Sequence, residues 1–353
     1  MTTDVAAELE APAADGTGLA RGNRMRAAGL GVAVALLGAT VVASIAIGAA
    51  DLAPSTIIDA IVSYDRTLDS HVTIHELRIP RTVVGLIVGP ALGLCGALIQ
   101  AFTRNPLADP GILGVNAGAM FAVAVAVGLL GVTAPLGYIW FALLGAGAVT
   151  AVVYLLGSRG AGQATPAKLL LAGVAISAVL GGFTTALTLK FRDAFDEMRY
   201  WQVGAIGGRD LTIVVQFAPL IAIGLIIGVA SARGLNSLAL GDDVAAALGV
   251  RLWLLRTAVI VAVTLLAGTA TAIAGPIAFV GLMVPHVVRW FVGPDQRWIF
   301  AYTIVVAPAL LLLSDVVGRI ILPSGELRVG LVTAIIGAPV LIVLARRKSV
   351  SGL

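Results

Sequence analysis

Charge is what this sequence has least of. Asp, Glu, Lys and Arg make up 12% of its 353 residues while 59% are hydrophobic, and the mean hydropathy is +1.02. A soluble domain carries about 25% charged residues, so a globular core with a wetted surface is excluded. Cysteine occurs once, as Cys95 inside an apolar run, which excludes an intrachain disulfide. Histidine occurs as His71, His75 and His286, without metal-ligand spacing and without a cluster of acidic or thiolate partners, so no metal site is expected. The "HEL" at 75–77 has Ile79 where a zinc-protease helix needs its second histidine. The net charge of +4 is scattered among loops and forms no basic tract with interleaved aromatics, so nucleic acid is not an expected partner. A G-x-x-x-x-G-K-[ST] phosphate loop is missing too, so the chain has no ATP-hydrolysing loop of its own.

What the sequence does have is long apolar runs. They last about 20 residues, the length a helix needs to cross a bilayer, and do not alternate over about 10 as barrel strands would. The expected fold class is therefore an all-α membrane protein. Ten transmembrane helices are predicted near 27–50, 82–102, 111–131, 134–156, 168–189, 211–232, 253–273, 276–292, 298–318 and 327–345. An even number puts both termini on one side. With that side inside, most Lys and Arg fall on inner segments, among them Arg21, Arg24, Arg26, Arg104, Arg159, Arg251 and Arg256, which makes the termini cytoplasmic. Residues 1–25, acidic and alanine-rich at their start, are expected to form a disordered cytoplasmic tail, 26–348 the membrane domain and 349–353 a short C-terminal tail. Two outer segments are long enough to fold on the membrane surface. Ser55 is expected to cap a short helix in "PSTIIDAIVSY", and Tyr200 and Trp201 to anchor "KFRDAFDEMRYWQVGAIGGRD" at the interface.

Several strings carry more than hydropathy. Gly85, Gly89 and Gly93, four apart, would let two helix backbones touch. In "RNPLADPGILGVNAGA", Asn105, Pro106, Asp109 and Pro110 break one helix and cap the next, giving a rigid elbow. Pro276 is expected to open a helix that Pro285 interrupts and bends. The inner loop "LNSLALGDDVAAALGV" is polar where two spans could have joined directly. Gly241, capping Asp242 or Asp243, and Gly249 should frame a short alanine-faced stub helix between Leu240 and Leu248, whose small side chains, Ala246 among them, let another protein's groove approach closely. His286 reads as structural, because no carboxylate shares its span. Asp315 precedes Arg319 by one turn, so an i,i+4 pair is its simplest account. Arg81 precedes Pro110 by the same 29 residues that separate Arg256 from Pro285, a thin hint of an inverted repeat.

Five strings in order ("ELRIPR", "RNPLADPGILGVNAGA", "LNSLALGDDVAAALGV", "GPIAFVGLMVPHVVR" and "SDVVGRIILPSGELRVGLVTAIIGAP") resemble FecCD-type permeases, the membrane subunits of ABC importers for iron–siderophores, haem and cobalamin. The resemblance covers roughly residues 30–346. It implies a cobalamin-importer-like permease fold in the bacterial inner membrane. It also implies a second permease copy or paralogue, a cytoplasmic ABC ATPase dimer that uses the ATP, and an external substrate-binding protein. No cofactor bound by this chain is implied. By the same resemblance, Leu235–Val250 is the element seated on the ATPase, and Arg78, Arg81 and Arg319 ring the outer mouth to pair with glutamates of the binding protein. A planar guanidinium suits such bidentate docking. The chain departs from the family at Arg328, where proline usually follows "GEL". The expected function is the permease subunit of an ATP-driven importer, with ferric siderophores as cargo. The alternative is an ion-coupled secondary transporter, for which Asp315 is the one candidate acid.

Overall fold

The computed structural model describes residues 18–20, 22–158, 166–322 and 325–346. The two expected tails, apart from residues 18–20 and 22–25, and Arg159 lie outside them. Among the described residues every regular element is helical. The chain begins with α1 (Asn23–Ala46), so the expected tail boundary at residue 26 falls inside a helix. The surface helix α2 (Pro54–Val62) follows, entered through Pro54 rather than capped by Ser55. Proline suits a first helical turn, since its missing N–H had no partner there.

Next, α3 (Asp69–Val72) runs through one wide turn, Thr73–Arg78, straight into α4 (Ile79–Thr103), and the three make one 35-residue rod. At its far end the elbow breaks the path as expected. Arg104 adopts a left-handed conformation, the Asn105 carboxamide accepts from Leu107 N–H, and Asp109 accepts from Gly111 N–H at 2.7 Å. A single tight turn from Pro110 to Leu113 then feeds α5 (Val115–Gly128). The remaining elements are α6 (Pro135–Ser158), α7 (Pro166–Lys190), α8 (Arg192–Trp201), α9 (Leu211–Ala230), α10 (Ala232–Ala239), α11 (Asp242–Ala247), α12 (Leu252–Ala274), α13 (Val280–Val292), α14 (Gln296–Ile320) and α15 (Val329–Arg346). Among the described residues, seven stretches are long and apolar enough to cross a membrane, and the shorter α5, α13 and α15 occupy the other three expected places.

Burial sorts these helices. In the most apolar stretch of the rod containing α4, 83% of residues are buried, against 17% in α7 and 11% in α1. The α4 rod is therefore the axis of the bundle, packed by α9, α12, α13 and α14, and α1 and α7 turn apolar faces outward. Glycine makes the axis possible. A Cβ on Gly89 would run into the Pro308 backbone of α14, and one on Gly96 into the Gly281 carbonyl of α13. Between apolar helices in a bilayer, such backbone contact supplies the packing that water would otherwise drive.

Two expectations around α13 change. Pro276 does not open it: residues 275–279 stay non-helical, with Gly275 and Phe279 at φ 76° and 69°, and the helix begins at Val280. Pro285 sits inside α13 without ending it. Having no N–H, it frees the Gly281 carbonyl one turn back. Gln100 of α4, fully buried, reaches across and donates to Gly281 O at 3.5 Å and Leu282 O at 3.0 Å. Removing that donor in Gln100→Leu leaves a buried carbonyl unpaired and should cost about 1–3 kcal/mol. The fall in thermal unfolding midpoint of the purified protein measures it, and Gln100→Glu, which keeps the shape but loses the amide donor when ionised, should fare no better.

Candidate functional site

Polar side chains gather at the two ends of the bundle. At one end the axis begins with Arg78 and Arg81, and α1 stops. The last carbonyls of a helix have no partners within it. Here two guanidiniums supply them. Arg78 donates to Ile45 O at 2.8 Å, Ala46 O at 2.7 Å and Ala50 O at 2.5 Å. Arg319, from the end of α14, donates to Ser44 O at 2.9 Å and Ile47 O at 2.8 Å, and to the Ser44 hydroxyl at 3.2 Å. A cation at a helix C-terminus is also favoured by the helix dipole. The Ser44 hydroxyl continues the chain to Thr82 of the axis at 2.8 Å.

Asp315 ties these cations together. Its Oδ2 lies 3.1 Å from Arg319 Nε, the expected i,i+4 pair, and 3.7 Å from Arg81 Nη1. The other terminal nitrogen of Arg81 binds Glu326, 245 residues away in the chain, at 2.6 Å. Arg78 and Arg319 are thus interior residues, 4% and 3% exposed, whereas Arg81 keeps a partly open side chain under Glu326. The sequence led us to expect three displayed guanidiniums. It could not reveal that α1 ends beside two of them. Arg328, the departure from the family pattern, has a local partner as well. It donates to Tyr200 O at 2.7 Å and stacks 4.9 Å from the Tyr200 ring, joining α15 to α8. Trp201, expected at the interface, is buried in the core, and Tyr200 alone is exposed.

At the opposite end, α10 and α11 form a polar step between α9 and α12. Neither Asp242 nor Asp243 caps α11; Gly241, at φ 111°, is the capping residue. The Asp242 carboxylate points elsewhere. One oxygen binds Arg104, at the end of the axis, and the other binds Arg256 of α12 at 2.6 Å. A six-residue helix cannot hold its own orientation. This one is keyed to two membrane helices. Leu240, Val244 and Leu248, four apart, stand exposed along its outer side, and Gly249, at φ 83°, reverses the chain behind them. Next to this step, the Asn236 amide of α10 donates to Asp295 at the start of α14 at 2.8 Å.

The elbow residues Asn105, Pro106, Asp109 and Pro110 lie beside the Arg104 end and set the direction of α5. Pro276 and Pro285 flank the start and middle of α13. The residues that sequence reasoning missed are Gln100, Glu326 and the two partners of Asp242. Each carried a signal: a lone amide in an apolar run, an acid inside the quoted "GEL", and arginines at the mouths of two spans.

Residues 36–347 match the FecCD transport family. The chain belongs to that family. It is 47% identical over 310 residues to the ferric enterobactin transport system permease protein of Escherichia coli (strain K12), covering 88% of this chain and 92% of the relative. A siderophore transport system permease protein of Bacillus subtilis (strain 168) is 38% identical over 307 residues, covering 87% and 92%. The vitamin B12 import system permease protein of Salmonella typhi is 38% identical over 271 residues, covering 76% and 81%. Among solved structures, one described as an inward-facing conformation of a metal-chelate type ABC transporter superposes with a TM-score of 0.79 at 26% identity, covering 91% of this chain and 99% of its own. A FecCD member is a transport permease, with the ATPase on a separate subunit. Among the described residues, the seven long and three shorter apolar helices and their packing around α4 agree with that class.

Proposed function

We propose that this chain is the permease subunit of an ATP-driven importer that carries ferric siderophores into the cytoplasm. The observation that carries the reading is the 47% identity, across nearly the whole chain, to a ferric enterobactin permease. In this reading both termini and the Arg104 end face the cytoplasm, and the Arg81 end faces outward. Leu240, Gly241, Asp242, Asp243, Ala246, Leu248 and Gly249 form the knob that enters a groove on the ATPase. An exposed apolar ridge on a stub helix fixed by ion pairs suits that role, because it offers contact area that is already ordered. A second permease copy or paralogue would cover outward-turned apolar faces such as that of α7, with lipid around the rest.

At the outer end, Arg81 is the docking cation best placed for carboxylates of an external binding protein. A partner carboxylate would compete there with Glu326. Arg78 and Arg319 support that surface by fixing the end of α1, and they would meet a partner directly only if α1 withdrew. The secondary-transporter alternative loses its candidate acid, since Asp315 is held between Arg81 and Arg319.

The test is reconstitution. With its ATPase and binding protein in vesicles, the chain should accumulate ferric siderophore only when ATP is hydrolysed. Accumulation driven by an ion gradient with no ATPase present would defeat the proposal. Leu248→Glu, which places a charge on the exposed ridge, should weaken ATPase association tenfold or more, on the order expected for a central interface residue. The fold should be untouched. Unchanged co-purification would remove the knob from the interface.

A further inference from the structure

At the Arg81 end, a cleft of about 320 Å³ opens between the starts of α6 and α9, the low end of the range for small-ligand sites. The loop that enters α9 lies against the axis, because a Cβ on Gly207 would run into the Arg81 guanidinium. Pro135 and Ile213 give the cleft apolar walls, and Arg209, Asp210, Thr212 and Gln216 are its polar lining. The helices around it turn apolar side chains outward, with Leu136, Trp140 and Val215 all exposed. On a membrane permease such a surface meets lipid, and a tryptophan near a helix start marks the level where headgroups and chains join.

Two groups in the cleft have hydrogen-bonding capacity to spare. One oxygen of Asp210 caps α9, accepting from Thr212 N–H at 2.8 Å, and the other has no partner among the described residues. Gln216 is exposed and likewise unpartnered there, although it stands inside an apolar helix, where a free amide facing hydrocarbon is costly. Arg209 supplies a positive charge. Its Nε donates to Ala205 O at 3.3 Å, and the Tyr138–Glu197 hydrogen bond of 2.8 Å stands beside it. Glu197 and Arg328 act on this guanidinium with opposite signs, so the cleft itself presents one cation next to one anion. Gln216 follows Asp210 by six residues, about 9 Å down the helix.

We propose that this cleft binds a phospholipid whose headgroup carries a primary amine. The phosphate lies against Arg209 and the start of α6, where Ala134 has no capping side chain and the helix dipole favours an anion. The ammonium donates to the open oxygen of Asp210, and the Gln216 amide donates to an ester carbonyl one level deeper. The acyl chains then continue along the exposed apolar faces of α6 and α9. Asp210 makes the site selective. It repels a headgroup that is only anionic, and a trimethylated ammonium has no N–H to give it. The inference does not depend on the cargo or on the ATPase, and its test reads neither.

The experiment uses the full chain in a mild detergent, supplied with phosphatidylethanolamine, phosphatidylcholine or phosphatidylglycerol of the same acyl chains, with bound lipid counted by native mass spectrometry. The chain should retain phosphatidylethanolamine about tenfold better than either of the others, the factor that one hydrogen bond to a charged group makes. Asp210→Asn keeps the cap on α9, since asparagine caps as well as aspartate, and should bring phosphatidylethanolamine down to the level of phosphatidylcholine. Thr212→Trp, which fills the cleft from an exposed position, should abolish retention of all three. Equal retention of the amine and choline lipids by the unaltered chain would overturn the proposal, as would a preference for phosphatidylglycerol. So would an Asp210→Asn chain that keeps the amine preference. A dimer that Thr212→Trp splits while lipid retention stays unchanged would place a second copy of the chain in the cleft, and overturns it too.

Discussion

Arg319→Met is expected to destabilise the folded permease by about 3–5 kcal/mol, the cost of breaking a buried ion pair from one side. The substitution keeps most of the apolar stem and removes the guanidinium. Three groups then lose their partner: the carbonyls of Ser44 and Ile47, and the Asp315 carboxylate, which is left with Arg81 at 3.7 Å. Because α1 is tied to the bundle at this end by Arg78 and Arg319, the first consequence should be release of the end of α1. Thermal unfolding in detergent measures the total, and faster amide exchange at residues 45–50 locates it. A double replacement, Arg319→Met with Asp315→Leu, should recover part of the loss, because it removes the stranded charge. If Arg319→Met unfolds at the wild-type midpoint, the cap at the end of α1 carries no weight in the fold.

Asp242→Asn should do the opposite, leaving stability nearly intact and disabling function. Its carboxylate is well exposed, and a pair of that kind contributes at most about 1 kcal/mol. Its importance is geometric. One carboxylate holds the stub helix α11 to the axis through Arg104 and to α12 through Arg256. If α11 is the seat of the ATPase, motion there reaches the bundle through this junction. An asparagine still accepts one hydrogen bond but no longer attracts two cations, so α11 can tilt without moving α4. ATP-driven uptake is expected to fall on the order of tenfold, within the usual range of coupling between sites. ATPase binding through the apolar ridge should persist. Wild-type uptake by Asp242→Asn would show that the clamp carries no coupling. Lost uptake together with lost ATPase binding would assign Asp242 to the interface itself.

The contrast between these two aspartates indicates how far sequence reasoning reaches. The pairing of Asp315 with Arg319 was legible, since both lie one turn apart on one helix. Asp242 looked like a helix cap, because Gly-Asp-Asp before an alanine run has that signature. Its real partners come from α4 and α12, and no local pattern announces them. Ser55 and Trp201 misled for the same reason. Proline entered α2 without a cap, and the tryptophan found room in the core rather than at the interface. Pro276 failed as a helix start because residues 275–279 pack as an irregular turn, with Phe279 held at φ 69°.

Taken alone, the sequence determined the membrane class, a bundle of roughly ten apolar helices, the glycine face of the axis and the family. Those properties are written in short-range pattern: an apolar run must be as long as a bilayer is thick, and a small residue every fourth position marks one helix face. Only the tertiary structure decided which charges are displayed and which are enclosed. Arg78, Arg81 and Arg319 are alike in sequence, charged residues at span ends on one side. They differ because α1 ends against two of them, with Arg319 bonded to a carbonyl 275 residues away. A charge in a low-dielectric interior takes whatever partner geometry brings within reach, and that geometry exists only once the helices have packed.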